Sequence, residues 1–235
     1  MTILLILLAV LIIHFVTKFL GKGFKIVTRI MLLIIVLLVI LTLLVYKDMN
    51  DLRKGFEKNN NTFYLYENNQ LYTAVTLKPI TNTNLTVDSF NYFEKEELDR
   101  VEQELNNKNY KELLKNNYKL IIISPSIINK PYSLNLGVEL NQYDLLSIIK
   151  SKDPFQVLAE KTQAAHGMSV EDLKRGLGYI YGSEESLKGY LFAGLLANYF
   201  QLQKPGELVS NVKEKKLMIY PESISFKVIK YMPWV

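Results

Sequence analysis

Cysteine is absent from this 235-residue chain, and histidine occurs only twice, as His14 and His166. Disulfides, thiol nucleophiles and cysteine metal sites are therefore excluded, and the redox compartment cannot be inferred from cysteine usage. The sequence also lacks the G-x-S-x-G, G-x-x-x-x-G-K-S/T and H-E-x-x-H motifs of hydrolases, P-loop proteins and zinc proteases. We therefore predict no metal site and no cofactor.

Acidic residues are missing from the first 47 positions, where two runs of apolar residues occur. Residues 1–17 have no charged side chain apart from His14, and residues 30–46 have none. With basic residues beside it that reach the headgroups, each run is long enough to cross a hydrocarbon layer of about 30 Å. A single run of this kind could also be a buried helix of a soluble protein. Two such runs in tandem are poorly explained in that way.

The two runs predict a transmembrane helical hairpin over residues 1–46, with spans at about 2–20 and 26–46. Short basic loops stay in the cytoplasm, and the segment between the runs is basic. The residues that we expect to determine the topology are Lys18, Lys22, Lys25 and Arg29. The expected location is the cell membrane, with two spans and an extracytoplasmic C-terminal domain. Four basic residues between positions 47 and 58 favour the opposite topology, so a cytoplasmic domain is an alternative.

The net charge of +5 comes mostly from the N-terminal segment. Residues 1–46 hold four basic residues and no acid, which leaves 24 basic and 23 acidic residues in the rest of the chain. Binding to nucleic acid needs a basic face, so we predict no nucleic-acid partner. The partners that we do predict are the lipid bilayer and either an unidentified protein or a second copy of the chain.

The rest of the chain predicts a juxtamembrane linker over residues 47–61 and an α+β domain over residues 62–235. Aromatic and β-branched runs on both sides of residues 67–70 predict a β-hairpin, and "KLIII" predicts a strand buried on both faces. Alternation in "YSLNLGVEL" predicts a further strand, and apolar periodicity predicts a helix after residue 94 and three more between residues 141 and 202. This order of elements favours a mainly antiparallel sheet covered by helices.

Helix-capping residues predict where the C-terminal helices begin. Asn141, Asp153 followed by Pro154, and Ser183 each precede a helical pattern, and Ser169 with Asp172 resembles a capping box. The last of these helices includes residues 189–203, which carry no charge and are apolar on nearly all sides. Fifteen residues are short for a membrane span, so a core helix is predicted, with a third membrane segment as the alternative. Two short strands around Pro221 are predicted to end the chain.

His166 is the only histidine outside the apolar runs, which makes it the sole candidate base for a serine triad. The nucleophile would be Ser124 or Ser126, and the orienting acid Asp144 or Asp153. The two serines lack the glycines of a nucleophile elbow. A histidine before a glycine is also typical of a helix C-terminus.

A Ser126–Lys130 dyad is a further catalytic alternative, and it would need a buried lysine.

Aromatic residues are the one positive indication of function, since the chain has 15 tyrosines and 11 phenylalanines. Aromatic surfaces are favoured at interfaces, although core packing is the alternative explanation. The candidate binding residues are Tyr64, Tyr66, Tyr72 and Tyr92. We therefore expect a non-enzymatic membrane protein whose extracytoplasmic domain binds a protein or envelope partner or self-assembles. The alternatives are a membrane-bound serine hydrolase using His166 and a cytoplasmic sensor or effector acting through the hairpin.

Overall fold

The computed structural model describes residues 22–79, 89–136, 138–202, 205–223 and 226–227. The chain divides into two compact units, Met1–Leu52 and Arg53–Val235. The second unit contains a five-stranded sheet that helices contact on both faces. The prediction of an α+β domain is confirmed.

The second apolar run lies in a 37-residue helix, α1 (Lys22–Lys58). Its window Arg29–Asp48 is long enough to cross a membrane, has a mean hydropathy of 3.0 and has 0% of its residues buried. It is the one such helix among the residues that the structure describes. A helix of this kind near the N-terminus is typical of an anchor or of a signal sequence.

The predicted two-helix hairpin is not what the structure shows. Lys22 and Lys25, which we expected in a connector, belong to α1. A glycine such as Gly23 costs a helix about 1 kcal/mol without ending it, and the chain has no proline before Pro79. The first predicted span, residues 2–20, lies outside the described residues.

The segment 47–61, predicted as a linker, is helical up to Lys58 and reaches the first strand at Asn61. Asn59 closes this end of α1, because its N–H and its side-chain Nδ2 both donate to the carbonyl of Gly55, at 3.0 and 3.2 Å. The helix therefore ends through its own hydrogen bonds, in a segment whose sequence is too polar to show apolar periodicity.

The elements of the domain follow in chain order. The strands are β1 (Asn61–Glu67), β2 (Gln70–Leu77), β3 (Phe90–Tyr92), β4 (Lys119–Ile123), β5 (Ser133–Asn135), β6 (Glu139–Asn141) and β7 (Leu217–Tyr220). The helices are α2 (Lys95–Asn106), α3 (Tyr110–Leu114), α4 (Gln142–Lys150), α5 (Pro154–His166), α6 (Val170–Tyr181), α7 (Glu184–Leu202) and α8 (Pro205–Lys213).

The main sheet has the strand order β3-β2-β1-β4-β7. Strands β1 and β4 are parallel, and the other neighbours are antiparallel. The predicted antiparallel character thus holds except at the centre. There the chain crosses over through β2, β3, α2 and α3 and brings β4 back beside β1 in the same direction.

The hairpin between β1 and β2 is confirmed, with a loop of two residues. Asn68 and Asn69 both have positive φ, 52° and 62°. A tight hairpin turn needs this backbone conformation at both positions, and asparagine adopts it more readily than most residues. The sequence signal and the turn geometry therefore agree.

The alternating segment "YSLNLGVEL" forms two strands, where one was predicted. Strands β5 and β6 pair antiparallel in a small separate sheet. The N–H of Leu136 donates to the carbonyl of Val138 at 3.1 Å and so closes the turn between them. Alternation alone does not reveal this turn, because residues on both arms of a hairpin keep the same period.

Both faces of the main sheet are covered. On one face, Tyr64, Ala74, Leu120 and Ile122 pack with apolar residues of α2 and α3. Residues alternate along a strand, so Phe63, Leu65, Val75, Ile121 and Ile123 point to the other face. These residues are buried, and α7 and α4 contact β2 on that side.

Helix α7 is a core helix of the domain. Leu187, Leu191, Phe192 and Leu195 are at most 1% exposed. The structure therefore supports the predicted core helix, and not a third membrane segment, for the described part of residues 189–203. Its apolar surface on nearly all sides matches its position, because α7 contacts α4, α5, α6 and the sheet.

Two glycines let aromatic rings reach the backbone of α7. A Cβ at Gly189 would lie 2.7 Å from Cδ1 of Tyr92, and one at Gly194 would lie 3.1 Å from the hydroxyl oxygen of Tyr132. A gap of 2.7 Å is too short for carbon atoms, so β3 could not keep its distance from α7 if Gly189 carried a side chain.

The chain end is described only in part. Strand β7 confirms the first of the two strands predicted there. Phe226 and Lys227 are helical, and most of the segment predicted as the second strand lies outside the described residues.

We predict that Gly189→Ala lowers the free energy of unfolding by about 1–3 kcal/mol, because the new methyl group overlaps the ring of Tyr92. The matched control is Gly178→Ala in α6, where no described atom lies within 4 Å of an added Cβ. That change should stabilise the protein by roughly 0.5–1 kcal/mol, since alanine is the better helix former. Thermal unfolding of the full chain in detergent measures both, and equal effects of the two changes would contradict the packing described here.

Candidate functional site

Ser124 and Ser126 follow β4, at the end where the parallel strand β1 also finishes. The Ser124 hydroxyl donates to Oε1 of Glu67 at 2.6 Å, and it lies 2.8 Å from the hydroxyl of Ser126. Ser124 also accepts the N–H of Ser126 at 3.2 Å and so caps the short 3₁₀ turn Pro125–Ile127. The two serines are therefore neighbours, and their acid partner is Glu67.

Glu67 was not among the residues predicted from the sequence. Its Oε2 lies 3.7 Å from Nζ of Lys150, and that ammonium group lies 5.1 Å from the centre of the Tyr72 ring. The cluster joins the C-terminal ends of β1, β4 and α4. Ligands of α/β proteins often bind at the carboxyl ends of parallel strands. No signal near Glu67 indicates this, because the contact exists only once β4 lies parallel to β1.

The predicted role of Asp144 as an orienting acid for a histidine is not supported. Its Oδ1 accepts a hydrogen bond from Lys161 at 2.6 Å, and its Oδ2 accepts the N–H of Asn141 at 3.3 Å. Both oxygens are thus engaged, one in a link between α4 and α5 and one in the capping box of α4. The Lys161 hydrogen bond holds the pKa of Asp144 below its usual value.

Asp153, the other candidate acid, has a similar structural role. Its Oδ1 accepts the N–H of Gln156 at 2.9 Å, which caps α5, and its Oδ2 pairs with Nζ of Lys174 on α6. The hydrogen bond from Lys174, followed by that from Gln156, lowers the pKa of Asp153. Both predicted acids therefore serve in helix caps and in ion pairs with lysines.

His166 is the last residue of α5, and its side chain lies outside the described part of the structure. The following Gly167 has a φ of 61°, a left-handed conformation that commonly ends a helix. The predicted helix end is confirmed, while a contact between His166 and either serine is not tested. His14 likewise lies outside the described residues.

The alternative dyad of Ser126 and Lys130 is not favoured by the geometry. Nζ of Lys130 lies 2.5 Å from Oε2 of Glu207 on α8, in an ion pair. The amine of Lys130 is therefore committed to a carboxylate on another helix.

The four candidate binding tyrosines mostly serve packing. Tyr64 is 2% exposed, because its ring packs with the apolar residues of α2 and α3 in the core. Tyr66 is half-buried, with its hydroxyl 2.7 Å from Oδ1 of Asn106. Tyr72 lies beside Lys150, and Tyr92 packs against Gly189.

The exposed apolar residues of the domain lie elsewhere. Tyr179 and Ile180, near the end of α6, are 85% and 73% exposed. Met168, just before α6, is 50% exposed. None of the twelve residues of α6, all of which the structure describes, is buried. Nothing in the sequence singled out Tyr179 and Ile180, and we call their exposed side chains the α6 surface.

The junction of α5, α6 and α7 carries several interacting charges. Partial burial, and then the charge of Asp153, raise the pKa of Glu184. Burial lowers the pKa of Lys188, one turn further along α7. Tyr181 of α6 meets Tyr190 of α7 edge to face, with 5.4 Å between the ring centroids. The ring contact joins α6 to α7.

Of the predicted topology residues, Arg29 is exposed on α1, the side chains of Lys22 and Lys25 are not described, and Lys18 lies outside the described residues. Within the described part of the chain, no group of three His, Cys, Asp or Glu residues is arranged to hold a metal ion.

Comparison with protein-family models, with curated proteins and with solved structures finds no match for this chain.

We predict that the Asp144–Lys161 pair makes stability depend on acid pH. The folded-state pKa of Asp144 lies below that of the unfolded chain, so the pair contributes fully above the unfolded value of about 3.9. This contribution is lost as the pH falls through the folded value. Asp144→Asn should therefore reduce the loss of thermal stability between about pH 5 and pH 2.

The variant Lys161→Gln is the matched test of the cause. Lys161 is the main reason for the lowered pKa of Asp144. The double variant Asp144→Asn/Lys161→Gln should therefore lose stability with falling pH in the same way as Asp144→Asn alone. Parallel pH curves for the wild type and Asp144→Asn would contradict the assignment.

Proposed function

We propose that this protein is a membrane-anchored, non-enzymatic binding protein whose α+β domain lies outside the cytoplasm and recognises a protein partner. The observation that carries the proposal is the exposed apolar surface on α6, combined with the exposed apolar helix α1. The arguments for the anchor and for the binding surface are independent of each other.

The anchor is supported by the cost of leaving α1 in water. Ten large apolar side chains of its apolar window are between 39% and 75% exposed. Burying one such side chain fully is worth about 1.5–3 kcal/mol. Ten of them together are comparable to or greater than the whole stability of a typical domain, about 5–15 kcal/mol. A lipid environment satisfies this helix directly.

The ends of the window also suit a bilayer. Arg29 lies at one end, and Tyr46 and Lys47, both exposed, lie at the other. Tyrosine is enriched where a membrane meets water, and basic side chains reach the headgroups. The apolar residues between these ends span about 25 Å at 1.5 Å per residue, close to the thickness of the hydrocarbon layer.

A binding role is supported by the way the polar residues are used. Ser124 donates to Glu67, Asp144 and Asp153 cap helices and pair with lysines, and Lys130 pairs with Glu207. These serine, aspartate and lysine side chains thus stabilise the fold. Tyr179 and Ile180, by contrast, expose large apolar side chains, the residue types that provide most of the contact area in protein interfaces.

We predict that a cysteine at Asn59 reacts with a membrane-impermeant maleimide in intact cells. The chain has no native cysteine, so a single introduced thiol reports unambiguously. The matched variant is Gly23→Cys, on the other side of the apolar window, which should react only after lysis. Labelling of Gly23→Cys alone in intact cells would place the domain in the cytoplasm and favour the sensor or effector function.

A second pair of variants separates anchoring from sidedness. Ile34→Asp combined with Leu37→Asp puts two charges near the centre of α1, each worth about 2.5–3.5 kcal/mol against insertion. Release of this variant from the membrane fraction on alkaline extraction would identify α1 as the anchor, and its retention would assign the anchoring to the apolar run of residues 1–17. Tyr143→Asp, at an exposed position of α4, should stay in the membrane fraction.

We predict that a photo-crosslinking amino acid at Tyr179 forms a discrete protein adduct in native membranes. The same amino acid at Tyr143, which is 66% exposed on α4, is the control and should form none. Adding Ile180→Asp should abolish the adduct at Tyr179 while changing the melting temperature by less than about 2 °C, because a surface change of this kind has a small effect on stability.

The mass of the adduct identifies its source as a second copy or a different protein. Equal adducts from both positions, or none from Tyr179, would argue against a binding surface on α6.

A further inference from the structure

We propose that α6 is a hinged segment that opens from α5 and α7 as one unit while the rest of the domain stays folded. The opening is a property of the fold alone. Its use, which is to present the inner face of α6 to the partner together with Tyr179 and Ile180, rests on the proposed function.

Helix α6 is only shallowly buried in the domain. The helix has twelve residues, all described, and none of them is buried. Its inward side chains, among them Leu173 and Leu177, are only half-buried. In α7, by contrast, Leu191, Phe192 and Ala193 are 0% exposed. Local opening is easiest where little apolar surface has to leave the core, so α6 should open far more readily than α7.

A glycine with positive φ lies beyond each end of α6. Gly167 and Gly182 have φ values of 61° and 77°, and no described atom lies within 4 Å of a Cβ built at either position. Glycine can change its backbone angles without steric cost, and open space around it leaves room for the change. Hinges are typically a few such positions at the ends of an element.

The backbone of α6 lies close to that of α5, but the specific side-chain contacts of α6 with its neighbours are exposed or few among the described residues. Among the described contacts, the ion pair of Lys174 with Asp153 joins α6 to α5, and the ring contact of Tyr181 with Tyr190 joins it to α7. The side chains of the ion pair are 38% and 43% exposed, so water screens it and its contribution is small. The internal hydrogen bonds of α6, including the cap at Ser169, do not depend on the rest of the domain.

These features distinguish opening of a unit from fraying of a helix. Ser169 and Gly182 close both ends of α6 with their own hydrogen bonds, so the helix can move intact. Once it has moved, the half-buried Leu173, Leu177 and Tyr181 form a single apolar helix face with Ile180, which lies three residues after Leu177, while Tyr179 points to a different side of the helix. An amphipathic helix of this kind is what a protein groove recognises by its i, i+3 and i+4 positions.

Hydrogen exchange of the full chain in detergent, resolved to single amides, tests the opening. The central amides of α6, from Leu173 to Gly178, should share one protection factor, at least about 100-fold lower than that of Leu191 to Leu195 in α7. A protection gradient that falls from the centre of α6 towards its ends would indicate fraying and overturn the proposal. Protection of α6 equal to that of α7 would overturn it as well.

Two matched variants test whether the ion pair of Lys174 with Asp153 restrains α6. Lys174→Gln removes the ion pair with Asp153 without touching the carboxylate that caps α5, and should speed exchange across α6 by roughly twofold to fivefold. Lys161→Gln removes the comparable ion pair between α5 and α4 and should leave exchange in α6 unchanged. Equal acceleration by both variants would mean general destabilisation and would contradict the hinge. The exchange experiment contains no partner protein. A negative result would therefore refute the opening of α6 without bearing on the crosslinking test of the proposed function.

Discussion

The pairing of β1 with β4 is the constraint on which the rest of the domain depends. All five residues of β4 are buried, and so are the first five of β1, so the centre of the sheet has no face that water can reach. Two parallel strands buried on both faces need a layer of helices on each side. Helices α2 and α3 supply one layer, and α4 and α7 contribute to the other.

The close fit of α7 follows from this constraint. Because α7 has to lie directly on the sheet, it carries glycines where the rings of Tyr92 and Tyr132 approach its backbone. The outer helices are held differently. Lysine–carboxylate pairs join α4 to α5 and α5 to α6, and the degree of burial decreases along this series until α6 has no buried residue among its twelve. The domain is thus most deeply buried at the sheet and most exposed to solvent at α6.

Polar residues that resemble catalytic groups in the sequence act here as connections between elements. Ser124 and Glu67 join the ends of the two parallel strands, and Lys150 adds the end of α4. Each group is engaged by a neighbour of complementary charge or hydrogen-bonding capacity, which is how a protein avoids the cost of burying unpaired polar atoms. Tyr179 and Ile180, by contrast, are the most exposed large apolar residues of the described part of the domain.

Local features of the sequence determined much of this protein. The apolar composition of residues 30–46 specified an exposed apolar helix, the two asparagines at positions 68 and 69 specified a tight turn, and Asn141, Asp153 and Ser169 specified helix starts. These signals depend on residues within one or two turns of each other, so they can be recognised without the fold.

Only the tertiary structure decided the parallel placement of β4, the partner of Ser124, the burial of Tyr64 and the exposure of Tyr179. Each of these depends on residues that are far apart in the chain. A tyrosine has the same local propensity on a core face as on a surface, and a serine after a strand forms the same turn whichever carboxylate lies beside it. Long-range packing chooses between these outcomes, and the period and spacing of the residues do not record that choice.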